Sequence, residues 1–455
     1  MFMLKKYKNI IVGLILLLSG VILFHNIIFY TPQGGFDYVR RTTYARIISQ
    51  EFRFPTYTET SEVYDAPAFY FLSGLIARVI SSITHLNFLD ALANVRFLTA
   101  TLGLITFYLW HKMFSKFYPK SKLGPLFFLF YLASIPIFYR VGSMIVSELL
   151  TGFNVAITFY WFINHFLVKP TYKNSLILSL LISFGLLTRM SFMSVALAIV
   201  IGAGTWLIIK KKWLITIKHL GLMTLIILIL TGWFYLGRHQ GKLLNFGTYD
   251  EVTYQNMKHE PIRLNFFYKV PFRLMINYPI RPQLSRPSYF LPIYYSDFWG
   301  DYWNYFAQSR FGPNEFKNAR ANRQVFSDAR RLYLAWQIKV NLVPTFLMVG
   351  SFIFLFIKRI KEWLKNKTDK KSLVELVFML AVVTTWLSLL AIVSKYHEGE
   401  GDWIKAAYTL YITPIYAYVL SATLFTYLRK VKIIFWPVLF ILLATAVNNF
   451  IFTWF

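Results

Sequence analysis

The sequence predicts an all-α polytopic membrane protein. Three observations carry this. Apolar runs of about twenty residues recur along the chain, charged residues make up only 15% of its 455 residues, and the lysine-rich stretches fall between the runs. A soluble domain carries about 25% charged residues. With 56% hydrophobic and 19% aromatic residues and a mean hydropathy of +0.49, the composition excludes a soluble enzyme, a disordered chain and a coiled coil. The absence of cysteine excludes disulfides, thiolate nucleophiles and cysteine metal sites. In a polytopic protein the formal charge of +28 points to cytoplasmic loops facing anionic lipid rather than to nucleic acid.

The apolar runs lie at 9–30, 94–115, 123–139, 147–168, 174–188, 191–209, 217–237, 336–357, 372–394, 406–428 and 433–455. The opening MFMLKKYK places the N-terminus in the cytoplasm. The first run has no Ala-x-Ala-like cleavage site and is longer than a signal-peptide core, so it reads as an uncleaved span. A weaker run at 67–84 decides the parity of everything after it. If it crosses, Lys120, Lys173, Lys210–Lys212 and Lys365–Lys371 go outside; if it does not, all of them go inside. It is short, begins at Pro67 and carries Arg78, so it reads as an interfacial helix on the outer leaflet. Eleven spans follow, with the N-terminus inside and the C-terminus outside. Of the chain's 20 acids, only Glu362, Asp369 and Glu375 then fall on the lysine-rich side. Acids contribute little to orientation, so their concentration outside points to function. The chain divides into an N-terminal membrane module at 1–237 that includes the first external loop (31–93), a long extracytoplasmic loop at 238–335, and a C-terminal four-helix module at 336–455.

The first loop predicts a short helix over 36–48, with Asp37 at its start and Arg40, Arg41 and Arg46 along it. A helix N-terminus favours an anion, so capping explains Asp37 as well as chemistry does. Glu59, Glu62 and Asp65 form a second acidic group. Asp65 precedes Pro67, again a capping position. Arg96, Arg140, Glu148, Arg189, Lys395 and Lys405 all sit near the outer ends of spans. Taken singly, such residues snorkel to the interface. Together, and beside Asp37 and Asp65, they indicate a polar site at one face of the membrane. Asp37 and Asp65 are the catalytic candidates. Arg96, Arg140, Arg189 and Lys405 are the candidate anion ligands, beside few compensating carboxylates. The segment SDFWGDYWNYF (296–306) sets Asp297 and Asp301 among Trp299 and Trp303, a pattern suited to stacking on a sugar and accepting its hydroxyls. Glu148 and Tyr408 complete that sugar- or acceptor-binding set. None of the eight histidines has an HExxH spacing. Asp65, His239 and His259 are the candidates for a divalent metal. No Walker loop, GxGxxG or G-x-S-x-G occurs.

In this order the landmarks resemble the GT-C superfamily of polyprenyl-phosphate-sugar-dependent glycosyltransferases. The branch in question holds the protein O-mannosyltransferases and the lipid A aminoarabinose transferase. Asp37 matches the first-loop acid of that family, with Tyr38 where a second acid is common. Tyr64-Asp65-Ala66-Pro67-Ala68 is similar to its acid-x-Pro-Pro-Leu stretch, with one proline. Arg96, Glu148 and the TRM at 188–190 match later landmarks. DWIKAAYTLYITPIYA resembles its Lys-Ala-Arg-Tyr-Leu-x-Pro element, with Ala407 in the arginine position. The resemblance covers most of the chain. It implies a sugar donor on a polyprenyl phosphate at the outer leaflet of the cytoplasmic membrane. It also implies an acceptor hydroxyl on an envelope glycolipid, polymer or protein, deprotonated by Asp37, and inversion at the anomeric carbon.

Three other readings remain open in the sequence, one of them a structural membrane subunit with no chemistry, which a null result on Asp37 and Arg96 together would favour. A transporter or flippase of lipid-linked glycans would carry its polar residues mid-membrane on broken spans, whereas here they gather at one face. A glycan polymerase or ligase of another membrane class would not depend on Asp37.

Overall fold

The computed structural model describes residues 2–56, 58–60, 62, 65–210, 213–237, 264–277, 289–303, 328–395 and 404–454. Among them every regular element is helical. The first half contains α1 (Phe2–Phe29), α2 (Tyr38–Arg46), α3 (Ala68–Thr84), α4 (Phe88–Phe117), α5 (Gly124–Ala133), α6 (Ile137–Gly142), α7 (Glu148–Trp161), α8 (Tyr172–Thr188), α9 (Met193–Ile209) and α10 (Trp213–Gly237). Then come α11 (Asn265–Tyr268), α12 (Phe272–Asn277), α13 (Phe290–Trp299), α14 (Asp328–Val340), α15 (Leu342–Lys365), α16 (Lys370–Lys395), α17 (Thr413–Thr426) and α18 (Lys432–Thr453).

Among the described residues eight helical stretches are long and apolar enough to cross a membrane. Shorter apolar helices, α3, α5 and α8, accompany them. Two spans are less regular than the hydropathy suggests. The third breaks at 134–136 because Pro136 cannot continue α5, and α6 restarts behind it. The tenth opens as a 3-10 turn over Ala406–Ile412 before Thr413 and Pro414 begin α17.

The parity question is answered by Arg96, near the start of α4. Its guanidinium donates to the carbonyl of Tyr30, just past the end of α1, at 3.0 Å, and to that of Ser143 at 2.9 Å. The end of α1 and the start of α4 therefore lie at one face, and α3 between them does not cross. α3 starts where Tyr70 meets Asp65, and Arg78 on its third turn still reaches the Ser49 carbonyl at 2.7 Å. It packs closely on α2 and the turn after it: a methyl at Gly74 would run into Ser49 and the Ala45 carbonyl. The C-terminal helix ends at this same face, where Asn26 donates to the Thr453 carbonyl.

The opposite, lysine-rich end is tied by a buried polar knot. Glu375 of α16 accepts from Tyr118 and Tyr418, each at 2.8 Å, and from Arg359 of α15. Four helices from both halves of the chain thus converge on one carboxylate. The core is a large apolar cluster rich in Phe, Leu and Ile, with a second, smaller one where α2 and α3 pack on α4.

Candidate active site

Asp37 stands directly before α2 in the left-handed region, with φ 57° and ψ 24°. That backbone is disfavoured for a residue with a side chain. Asp37 makes no side-chain capping bond, so capping does not account for it. Its carboxylate turns instead to Lys405 Nζ at 3.4 Å and Arg40 at 3.8 Å. Burial disfavours the charged form, but Lys405, Arg41 and Arg40 outweigh it and hold the carboxyl below its ordinary range.

Four residues after Asp37, Arg41 is 3% exposed. It falls in register with Tyr44, Ala45 and Ile48, the i, i+3, i+4, i+7 stripe that α2 and the following turn bury. Its guanidinium lies 4.5 Å from the Phe36 ring centre and 3.6 Å from Glu148, and its Nε has no hydrogen-bond partner. Glu148 opens α7 and lies between two arginines, since Arg189 approaches it at 2.6 Å. Arg189 occupies the sharp turn between α8 and α9, donates to Ser147 Oγ at 3.1 Å and covers the Tyr408 ring.

A third group surrounds Arg140 of α6. It faces Asp297 and Asp301, each at 3.4 Å, and donates to the Asp297 carbonyl. The second carboxylate oxygen of Asp297 accepts the Ala406 N–H at 2.7 Å. Burial pushes the Asp297 carboxyl up, against the pull of Arg140 and the Ala406 N–H. Phe36, Arg140, Asp297, Asp301, Trp303 and Lys405 line a cleft of about 300 Å³, part of it open space.

The structure therefore gathers Arg140, Asp297, Asp301, Trp303 and Lys405 around one cleft, joins Asp37 to it through Lys405, and brings Glu148, Arg189 and Tyr408 into contact with one another and with this group. Arg96 is occupied with backbone carbonyls, of Ala93 as well as Tyr30 and Ser143. Trp299 turns away from the cleft and donates to Thr345 Oγ1 of α15 at 2.8 Å. Asp65 is not a cap either, because α3 has no side-chain cap and the Asp65 carboxylate accepts the Tyr70 hydroxyl at 2.6 Å. The expectation of few compensating carboxylates is corrected. Arg140, Arg189 and Lys405 each have a carboxylate partner, and those partners come from segments remote in sequence.

Two residues outside the candidate set belong to the same neighbourhood. Arg41 was legible from its place on the buried stripe. Burial, then Asp65, push the Glu62 carboxyl well above its ordinary range, with Asp37 adding to the effect and Arg41 opposing it. No local pattern separates Glu62 from the exposed Glu59. His239 and His259 lie outside the described residues. Among the described residues no three His or acidic side chains form a metal set.

No family profile and no curated protein matches the chain by sequence. Similar solved structures exist. One is the Archaeoglobus fulgidus oligosaccharyltransferase in complex with zinc and sulfate: 13% identity, TM-score 0.49, over 97% of this chain and 53% of that one. A second is the archaeal oligosaccharyltransferase AglB from Archaeoglobus fulgidus with an inhibitory peptide and a dolichol-phosphate: 11% identity, TM-score 0.47, over 98% and 56%. A third is ArnT from Cupriavidus metallidurans bound to undecaprenyl phosphate: 12% identity, TM-score 0.38, over 90% and 77%. The chain spans about half the length of the two oligosaccharyltransferases it matches.

Proposed function

We propose that this chain is a membrane glycosyltransferase. It moves a sugar from a polyprenyl-phosphate-linked donor to an acceptor hydroxyl on an envelope glycolipid, polymer or protein, at the extracytoplasmic face of the cytoplasmic membrane. The observation that carries this is Asp37, a carboxylate on a left-handed backbone that caps nothing, is kept ionised by three cations, and touches the lysine on the wall of a cation-lined cleft. The segregation of the chain's lysines to the other end supports the assignment of the face.

The acceptor oxygen attacks the anomeric carbon from the side opposite the phosphate. The bond from that carbon to the phosphate oxygen breaks, the acceptor proton passes to the Asp37 carboxylate, and the configuration inverts. A carboxylate held below its usual range is a weak base, so Asp37 acts mainly by aligning the hydroxyl and taking the proton late. Negative charge builds on the leaving phosphate. Lys405 and Arg140 line the cleft where it would develop, with Arg189 and Arg41 behind them.

The test uses Asp37→Asn and Asp65→Asn in the full chain. Envelope glycans and glycolipids are profiled by mass spectrometry in cells carrying the wild type, each variant or no copy. Loss of a general base costs about 10²–10⁴-fold in rate. The product of the wild type should therefore disappear with Asp37→Asn while the protein level is unchanged. Full product with both variants would sink the proposal.

A further inference from the structure

Lys405 is a single lysine on an extended stretch, and its placement against Asp37 needs a cause. α13 and the turn after it supply one. Trp303 Nε1 donates to the Ile404 carbonyl at 3.0 Å, Asp297 accepts the Ala406 N–H at 2.7 Å, and the Tyr294 and Thr409 hydroxyls meet at 2.5 Å. Two of these bonds flank Lys405 directly. Its backbone is extended, with φ −114° and ψ 123°, so its side chain leaves on the side opposite to those of its neighbours. Ile404 and Ala406 are both fully buried. The Lys405 ammonium is thereby sent the other way, to Asp37 and to within 4.8 Å of the Phe36 ring centre. Asp297 is itself fixed, because Arg140 grips both its carboxylate and its carbonyl.

We infer that Asp297, which the aromatic-acid pattern suggested as a sugar ligand, is a positioning residue: it locks the 404–406 backbone so that Lys405 is presented to Asp37. A line of contacts runs from α6 through α13 and the 404–409 stretch to the first loop. It joins the two membrane modules across the cleft. The inference rests on Asp37 and Lys405 working together, as in the proposed transfer.

Two measurements on the full chain in lipid nanodiscs test it. The first needs no activity. Lys405 is acetylated with a water-soluble amine-reactive ester, and its rate is read by peptide mass spectrometry. With the ammonium about nine-tenths buried and paired, wild type should label slowly. Asp297→Ala and the gentler Trp303→Phe, which keeps the ring and removes only the donor, should each label several-fold faster. Asp297→Asn, which retains an acceptor for the Ala406 N–H, should fall between Asp297→Ala and wild type.

The second is the pH profile of transfer. The charged and titratable groups around Asp37 are Arg40 and Arg41 on α2, Lys405, Glu62 and Tyr408. Removing the lysine by Lys405→Gln should move the acid limb up by about one pH unit, the low end of what an opposite charge at 4–6 Å produces. Asp297→Ala should move it equally, and the double variant no further. Unchanged Lys405 labelling in both Asp297→Ala and Trp303→Phe would overturn the inference. So would an acid limb that stays in place while Lys405→Gln moves it. A wild type that transfers no sugar would instead count against the proposed function, and the labelling result would still decide this one.

Discussion

Replacing Glu148 by Gln leaves the shape of the side chain and removes the carboxylate that contacts both Arg41 and Arg189. The structure allows the loss to be sized. Glu148 is 2% exposed and Arg41 3%. At an effective dielectric of about 20, unit charges at 2.6 and 3.6 Å attract by about 6 and 5 kcal/mol before desolvation. Desolvation offsets much of that, and removing one member of a buried pair costs about 3–5 kcal/mol in practice, because the remaining charge is left uncompensated. Here two like charges are left facing each other. Thermal unfolding of the purified protein at one fixed scan rate is the assay, since such proteins commonly unfold irreversibly. The expected fall in melting temperature is on the order of 5–10 °C. The double variant Glu148→Gln, Arg189→Gln should be less unstable than the sum of the two singles, because one orphaned charge has gone with its partner. A Glu148→Gln protein that melts with wild type, or strictly additive singles, would refute the reasoning.

Other consequences are checked more briefly. Single cysteines at Lys120, Lys173 and Lys365 should resist a membrane-impermeant thiol reagent applied from outside, whereas one at His85, at the exposed end of α3, should react; the reverse pattern would flip the assigned face. Glu375→Gln should lower the melting temperature without touching the cleft at the other end, by less than the ~3–5 kcal/mol cost of a fully orphaned buried charge would produce, because Arg359 keeps Glu362 as a partner. The Asp37 carboxyl is held below its ordinary value of 3.8. Its ion pairing thus stabilises the fold above that value, and the contribution is lost as the pH falls through the lower folded value. Asp37→Asn should make stability less sensitive to acid over that range, and unfolding curves that respond to acid as wild type does would contradict it.

Most of the membrane architecture was legible because hydropathy and lysine segregation are one-dimensional signals. Even the non-crossing status of α3 followed from charge parity, and the Arg96 contacts agree with it. The breaks were less legible: Pro136 announces one, but nothing local says that 406–412 winds as a 3-10 turn. The site was legible as a set of residues and not as a set of partnerships. Asp37 and Lys405 are separated by 368 positions, and Arg140 and Asp297 by 157. No periodicity links residues so far apart. Trp299 shows the opposite failure. Its neighbours suggested a sugar platform, yet a helix sends side chains in all directions, and this one points into the packing against α15.

Part of the concentration of acids at one face, which orientation rules leave unexplained, has a structural cause. Buried cations at that end each need compensation, and Glu148, Asp297, Asp301 and Asp37 supply it from other segments. The pairing is nevertheless incomplete at the level of individual donors, since the Nε groups of Arg41 and Arg140 are buried without hydrogen bonds. A buried, unpaired N–H of a charged group costs free energy in the resting protein. On the proposed reading that cost has a use. A leaving phosphate gains a full negative charge as the sugar departs, and donors already fixed in a dry site need no reorganisation to meet it.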